Sequence, residues 1–243
     1  MGWVDRMQSI VQMVYPPRCL SCGAMVDEDF GLCAACWKET PFIAGLSCDL
    51  CGKRLSGQSD REELCDDCLT IARPWSRGRA ALVYEGRARR LVLALKHGDR
   101  HDIAKPAAQW MARITRPIVR PDTLVVPIPL HVRRHLSRRY NQSALLAQTL
   151  ADVLDLDYVP DLLHRVHPTP MLKGKSRDER FEILAGQLQV TPSHEPLVAG
   201  RSILVVDDVM TSGATLAAAA DACLACGASE VFVSVLARAG KEA

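Results

Sequence analysis

The chain has 243 residues, which is enough for one large domain or two small ones. Hydrophobic residues make up 48% and charged residues 24%, values that are typical of globular proteins and exclude a disordered or fibrous chain. No apolar run approaches the roughly 20 residues of a membrane-spanning helix, and no signal-peptide pattern precedes Pro16. We therefore expect a soluble, cytoplasmic protein without a membrane span.

Charge and cysteine content both divide the chain near residue 75. Residues 1–75 hold 7 Lys/Arg against 11 Asp/Glu, whereas residues 76–243 hold 23 against 17. Eight of the ten cysteines lie in the first part. This division predicts a small cysteine-rich module over 1–75, with a short helix at its N-terminus, and a second domain over 76–243. The basic character of the second domain favours an anionic ligand.

The first module contains four Cys-x-x-Cys pairs. Such a pair on a tight turn directs both sulfurs at one metal ion, and a second pair completes a Zn–S4 site. Disulfides are disfavoured without a secretory signal, and no βαβ pattern around the pairs indicates a redox motif. The spacing predicts about two structural zinc ions. The expected ligands are Cys19, Cys22, Cys33, Cys36, Cys48, Cys51, Cys65 and Cys68.

Two features of the cysteines need separate interpretation. Pairing in sequence order closes shorter loops and costs less chain entropy, but an interleaved pairing stays open. Cys223 and Cys226 lie in an alanine-rich segment that is expected to form a helix ending at Gly227. We interpret these two thiols as small buried apolar groups rather than metal ligands.

The second domain alternates strand and helix patterns. Strands are predicted at 80–84 and 123–126, and helices at 88–96, 103–114 and 143–154. Residues 203–206 and 229–236 are almost continuously apolar, as in strands buried on both faces of a parallel sheet. The alternation predicts an α/β domain whose ligands bind at the carboxyl ends of parallel strands.

Two basic segments follow predicted strands. Residues 131–142, HVRRHLSRRYNQ, come directly after the strand at 123–126 and supply many cationic donors suited to a diphosphate. Residues 164–180, HRVHPTPMLKGKSRDER, are polar, contain proline and glycine, and carry five Lys/Arg. This segment resembles the mobile flap that closes over the bound diphosphate in phosphoribosyltransferases, which implies that it would close over a ligand and exclude water.

The most informative segment is SILVVDDVMTSGATL at 202–216. A buried strand ends in Asp207 and Asp208, and a loop of small hydroxyl residues with Gly213 then opens a helix. Backbone amides at a helix N-terminus favour a dianionic phosphate, and glycine permits close approach. Two carboxylates just upstream can accept hydrogen bonds from neighbouring ribose hydroxyls. The sequence therefore predicts a sugar-phosphate site here.

This segment resembles the phosphoribosyl-pyrophosphate (PRPP) motif of type I phosphoribosyltransferases. The resemblance implies that Asp207 and Asp208 hold the ribose hydroxyls and that the following loop holds the 5′-phosphate of PRPP, which is bound with magnesium. The residues that match the motif are Asp207, Asp208, Val209, Met210, Thr211, Ser212, Gly213, Ala214 and Thr215.

A wider resemblance covers nearly the whole chain. VPIPLHVRRHLSRRYNQS at 126–143 resembles the pyrophosphate loop of the ComF family of competence proteins. That family also carries an N-terminal zinc module, whose Pro-Pro-x-Cys entry matches Pro16 to Cys19. The resemblance implies a double zinc ribbon followed by a type I phosphoribosyltransferase-like parallel sheet flanked by helices. The diphosphate and flap residues that it implies are Lys96, Pro129, Arg134, Arg138, Arg139, Asn141, Gln142, Lys173, Arg177 and Arg180.

The chain also departs from the family pattern. Leu172 stands where a Gln is expected, Ile183 where an Asn is expected, and Tyr140 where Phe is usual. The first two remove polar groups from the flap, so no residue is assigned a catalytic role.

Two functions remain open. In the first, the protein binds PRPP with magnesium and serves DNA uptake or the use of imported DNA, contacting single-stranded DNA and the uptake machinery through its basic loops. In the second, it is an active phosphoribosyltransferase of nucleotide metabolism with an unknown acceptor. A glutamine-dependent amidotransferase is disfavoured, because the chain begins Met1-Gly2-Trp3 and lacks a cysteine nucleophile there.

Overall fold

A computed structural model describes residues 16–27, 31–97, 100–130, 140–167 and 174–240. The expected N-terminal helix lies outside these ranges. Four of the expected diphosphate residues (Arg134, Arg138, Arg139 and Lys173) and the departing Leu172 also lie outside them.

The cysteine-rich segment has little regular structure. It contains the short helices α1 (Ala34–Glu39) and α2 (Asp66–Thr70), each of which begins directly after a cysteine. Its interior consists largely of the cysteines themselves, most of which are buried. A module with so few large apolar side chains depends on its metal ligands for a core.

The second part of the chain is built on a parallel sheet with strand order β1-β6-β5-β2. Its strands are β1 (Arg77–Val83), β2 (Leu124–Pro127), β5 (Ser202–Met210) and β6 (Glu230–Arg238). A separate antiparallel pair joins β3 (Leu163–Arg165) to β4 (Leu188–Val190). The parallel sheet confirms the expected α/β architecture.

Helices cover both faces of this sheet. One face packs against α3 (Gly86–His97), α4 (Ala104–Thr115) and α5 (Gln142–Leu154). The other packs against α6 (Arg177–Leu184), α7 (Glu195–Val198), α8 (Ala214–Ala225) and the β3–β4 pair. Short 3-10 turns precede α4 and α7, at His101–Ile103 and Pro192–His194. No helix in the described ranges has the length and apolarity to cross a bilayer.

The predicted elements lie where expected, with small shifts of their ends. The largest difference is β5, which continues through the acidic pair to Met210 instead of ending at residue 206. The reason is its ladder with β6, in which Asp207 pairs with Val235 and Met210 with Arg238. The acidic pair is therefore part of a rigid strand.

The cysteine-rich module covers the free edge of the sheet. Beside β1, the amide of Ile43 donates to the carbonyl of Ala81 (2.9 Å), and the amide of Gly78 donates to the carbonyl of Asp49 (2.8 Å). A Cβ on Gly78 would lie 2.2 Å from the Leu50 carbonyl oxygen, so only glycine permits this approach. An edge strand covered in this way is closed to pairing with another chain.

Candidate functional site

The eight paired cysteines form two clusters of four, grouped in sequence order. Within each cluster the sulfurs all lie within 4.8 Å of one another. The Sγ atoms of Cys22 and Cys33 are 3.7 Å apart, and those of Cys51 and Cys65 are 3.6 Å apart. A tetrahedron with Zn–S bonds of about 2.3 Å has sulfurs about 3.8 Å apart, so both clusters fit zinc. The interleaved alternative is not the arrangement found.

The two clusters differ in their surroundings. The first includes the exposed Cys22, whereas all four thiols of the second are buried. Closed sets of four thiolates leave no open coordination position, so the zinc that they would hold is structural. Cys223 packs in the core on α8, as predicted, and belongs to neither cluster.

The acidic pair lies at the carboxyl end of β5, an interior strand of the sheet. Its neighbour β2 ends where Pro127 pairs with Val206, so the two acids extend beyond it. Asp208 Oδ1 lies 2.8 Å from Lys96 Nζ at the end of α3. Asp207 Oδ1 accepts hydrogen bonds from Ser143 Oγ (2.7 Å) and from the amide of Asp208 (2.8 Å). The fold thus brings the predicted Lys96 onto the predicted acidic pair.

The surroundings of the acidic pair disfavour the charged form of Asp207. Burial, followed by the charge of Asp208, raises the pKa of Asp207 to about 6, although Ser143 and Lys96 act in the opposite direction. A carboxylate held at such a cost gains free energy from any ligand that supplies hydroxyl donors or a cation. Shifted carboxyl groups at the end of a parallel strand are typical of functional sites.

The loop after β5 presents the start of α8. Gly213 has φ = 85° and is the N-cap residue, and it offers no side chain to cap the first turn. Ser212 Oγ accepts the amide of Ala214 at a distance of 3.3 Å. The other amides of the first turn have no partner within the helix, and the helix dipole adds to their attraction for an anion. We call residues 211–215 the phosphate loop, after the ligand group that the sequence predicts for them.

Two arginines that sequence reasoning missed hold the phosphate loop in place. Arg73 Nη1 donates to the Ser212 carbonyl (2.8 Å). The neighbouring thiols of Cys48 and Cys51 raise the pKa of Cys68 in the second cluster, and Arg73 partly offsets this rise. Arg238 Nη1 donates to the Thr211 carbonyl (2.7 Å). A Cβ on Gly213 would lie 2.7 Å from Arg73 Nη1. The only sequence signal was position: Arg73 falls at the boundary between modules, and Arg238 at a strand end.

The last residues of the basic segment, 140–142, make hydrogen bonds that hold neighbouring elements of the fold together. Asn141 caps α5 by accepting the amide of Ser143 (3.0 Å), and its Nδ2 donates to the Ile128 carbonyl (3.0 Å). Gln142 Nε2 donates to the Lys96 carbonyl (3.1 Å), and the Tyr140 hydroxyl donates to the Leu95 carbonyl. These bonds join the start of α5 to the end of α3. The tyrosine that departs from the family pattern therefore adds an anchor that Phe could not supply.

The flap residues lie on another side of the phosphate loop. Ser176 and Glu179 form a capping box at the start of α6. Arg177 Nη2 then pairs with Asp67 Oδ1 of the cysteine-rich module at 2.8 Å. Pro129, which precedes the basic segment, accepts a hydrogen bond from Arg165 Nε (3.0 Å). Neither Arg177 nor Arg180 pairs with the acidic residues of β5 in the described ranges.

A cavity of about 240 Å³ separates the flap from the cysteine-rich module. Arg177 and Arg180 line it together with Thr211 and Ser212 of the phosphate loop and the chain just after β6. Asp207, Asp208 and the loop residues beyond Ser212 do not line it. We call it the ribbon–flap cavity.

The fold and its site define a phosphoribosyltransferase-like protein with an N-terminal zinc module. The phosphoribosyl transferase domain family matches residues 141–243, and the double zinc ribbon domain family matches residues 10–69. The chain belongs to the ComF family of competence and DNA-utilization proteins.

Similarity to curated relatives extends over most of the chain. It is 31% identical to the DNA utilization protein YhgH of Escherichia coli K12 over 216 residues, which cover 86% of this chain and 91% of that protein. It is 29% identical to Competence protein F of Haemophilus influenzae over 230 residues, which cover 91% and 97%. Among solved structures, the glutamine PRPP amidotransferase of Bacillus subtilis matches 59% of this chain and 30% of its own, with 16% identity and a TM-score of 0.39.

The bridge through Arg73 predicts that the two zinc sites differ in their effect on the phosphate loop. Cys68→Ser should remove one zinc per chain and speed amide hydrogen exchange over residues 211–216, because Arg73 loses its partner. Cys22→Ser in the first cluster should also remove one zinc but leave exchange in the loop unchanged. Metal analysis and exchange mass spectrometry measure both effects, and equal protection of the loop in the two variants would contradict the bridge.

The raised pKa of Asp207 predicts a pH-dependent effect of Asp207→Asn on stability. Because the folded pKa lies above the unfolded value, ionisation of Asp207 disfavours the folded state progressively as pH rises through about 6. Relative to the parent chain, Asp207→Asn should therefore gain stability between pH 5 and pH 8, by about 1 kcal/mol. Urea unfolding at the two pH values measures this, with Asp152→Asn on the exposed face of α5 as the control. A gain that shrinks with rising pH would be the wrong sign.

Proposed function

We propose that this protein binds PRPP as its magnesium complex at the carboxyl edge of the sheet. In this proposal Asp207 and Asp208 accept hydrogen bonds from the ribose hydroxyls, and the phosphate loop binds the 5′-phosphate. The observation that carries it is the combination of two adjoining carboxylates near the end of β5 with a helix start five residues after Asp208, whose N-cap glycine has no side chain to occupy the amides of the first turn. Sugar hydroxyls and a phosphate need these two kinds of group side by side.

Lys96 is proposed to bind the diphosphate. The Nζ atom of Lys96 lies 2.8 Å from Asp208 Oδ1, and 21% of the lysine side chain is exposed. Lys96 can therefore exchange its carboxylate partner for a phosphate oxygen. Magnesium enters with the ligand and would offset the repulsion between the two carboxylates. The basic residues Arg134, Arg138 and Arg139, on the loop after β2, are proposed to add to this charge, and Asn141 and Gln142 to fix the end of that loop.

The biological role that we propose is participation in the uptake or use of DNA. It is supported by relatives whose names are DNA utilization protein and Competence protein F. The basic loop would contact the phosphates of single-stranded DNA, and such binding should weaken steeply with salt. A cytoplasmic location, where PRPP and imported single strands would meet, is part of the same proposal.

An active phosphoribosyltransferase is the second candidate. The observation that favours it is the match of residues 141–243 to the phosphoribosyl transferase domain family. Transfer would require displacement at the ribose C1 with diphosphate leaving, and the flap would have to exclude water.

Removal of both acids should abolish most of the affinity for PRPP. Each charge-assisted hydrogen bond lost weakens binding by roughly tenfold or more, so Asp207→Ala with Asp208→Ala should weaken it at least about a hundredfold. Calorimetry with PRPP and magnesium measures this on zinc-loaded protein. Asp221→Ala on α8 is the matched control and should bind like the parent chain. Unchanged affinity in the double variant would reject the assigned site.

Diphosphate release separates the two candidate functions. If the protein is a transferase, incubation with PRPP, magnesium and a panel of acceptors should release diphosphate faster than the double variant does. If it is a binding protein, release should equal that of the variant, while gel shifts with single-stranded DNA should weaken as salt increases. Release without any DNA binding would contradict the proposed role in DNA use.

A further inference from the structure

The ribbon–flap cavity is lined by an excess of positive charge that lies outside the proposed sugar-phosphate site. Five cations line it, from three separate parts of the chain, and Asp67 is the one carboxylate among its lining residues in the described ranges. Small-molecule sites are mostly apolar with a few polar groups, so this lining selects for an anion. The cations are Arg73, Lys175, Arg177, Arg180 and Arg238.

Some of these cations already have carboxylate partners. Arg177 pairs with Asp67 at 2.8 Å, and Lys175 pairs with Glu179 at 2.9 Å. Asp67 also lies 3.8 Å from Lys53 Nζ, so its charge is matched by Arg177 and Lys53 and does not neutralise the other cations of the lining.

The remaining three arginines have no such partner. In the described ranges, no carboxylate oxygen lies within 4.0 Å of Arg73, Arg180 or Arg238. Arg238 is only 5% exposed, and its Nε has no hydrogen-bond partner there, although Nη1 donates to backbone carbonyls. Buried guanidinium groups are almost always paired. With zinc bound, the dianionic second cluster beside Arg73 offsets part of this charge, but it leaves Arg180 uncompensated.

The cavity is also distinct from the proposed PRPP site. It shares Thr211 and Ser212 with the phosphate loop, but neither the acidic pair nor Lys96 lines it. The predicted flap cations Arg177 and Arg180 belong to this side of the loop. A ligand held here would lie beside a bound sugar phosphate and not replace it.

We propose that the ribbon–flap cavity is a second anion site, which binds the phosphate group of a small co-ligand beside PRPP. The identity of the neighbouring ligand rests on the proposed function, whereas the anion site rests on the arginines alone. Its volume of about 240 Å³ is near the lower limit of small-molecule sites, which suits a phosphomonoester rather than a polymer. The zinc module contributes Asp67 and Arg73, so it is part of the binding surface.

The test uses inorganic phosphate as the probe and Arg180→Gln as the variant. Calorimetry on zinc-loaded full-length protein saturated with PRPP and magnesium should detect one further phosphate per chain. Arg180→Gln, again saturated with PRPP, should weaken that phosphate roughly ten- to a hundredfold, and Arg180→Glu should abolish it. Arg90→Gln, on the exposed face of α3, is the matched control. Absence of phosphate binding to the PRPP-loaded protein, or equal affinity in Arg180→Gln, would overturn the proposal.

Two further outcomes distinguish the alternatives. If PRPP fails to bind while Arg180-dependent phosphate binding persists, the proposed function fails and the anion site stands. Competition at constant salt identifies the source of the phosphate. Displacement of the probe by glycerol phosphate supports a small co-ligand. Displacement only by an oligothymidylate without a terminal phosphate would show that the cavity binds a nucleic-acid backbone, and would overturn the assignment to a small ligand.

Discussion

Arg73 lies between the second cysteine cluster and the phosphate loop. Its guanidinium donates to the Ser212 carbonyl and interacts electrostatically with Cys68. Four thiolates around one zinc ion leave two negative charges, which stabilise nearby guanidinium groups that would otherwise be costly to bury. Arg238 benefits in the same way, through its electrostatic interaction with Cys51, and holds the Thr211 carbonyl. The second cysteine cluster, a structural metal site, thereby helps to fix the shape of the phosphate loop.

The phosphate loop lies between the acidic pair of β5 and the arginines of the ribbon–flap cavity, so these opposite charges do not pair with each other. Asp207 and Asp208 lie at the end of β5, where burial raises the pKa of Asp207. The arginines that have no carboxylate partner in the described ranges line the ribbon–flap cavity on another side. In the two binding proposals made above, a ligand supplies each group with its opposite partner: hydroxyls and magnesium for the acids, an anion for the arginines. The stability of the sheet, including strand β5 and the covered edge of β1, compensates for the free energy of holding these charged groups apart.

Local patterns in the sequence were sufficient for the parts of the site that are contiguous. The four Cys-x-x-Cys pairs, the acidic pair and the loop that ends at Gly213 each combine all their chemistry within a few residues, so spacing alone predicts them. The length of β5 was underestimated, because the ladder with β6 that extends it is a property of the sheet. Arg73 and Arg238 could not be found from sequence: nothing near Arg73 in the chain distinguishes it from a surface arginine, and its role arises only when residues 139 positions apart come together.

The cysteine-rich module also contributes to the wall of the ribbon–flap cavity, where we propose that a second ligand binds. The module pairs with the edge of β1 along its backbone, and this docking carries Asp67 and Arg73 to the phosphate loop. The pair between Asp67 and Arg177 then attaches the helix that follows the flap to the same module. This ion pair couples α6 to the cysteine-rich module, and both contribute to the lining of the ribbon–flap cavity.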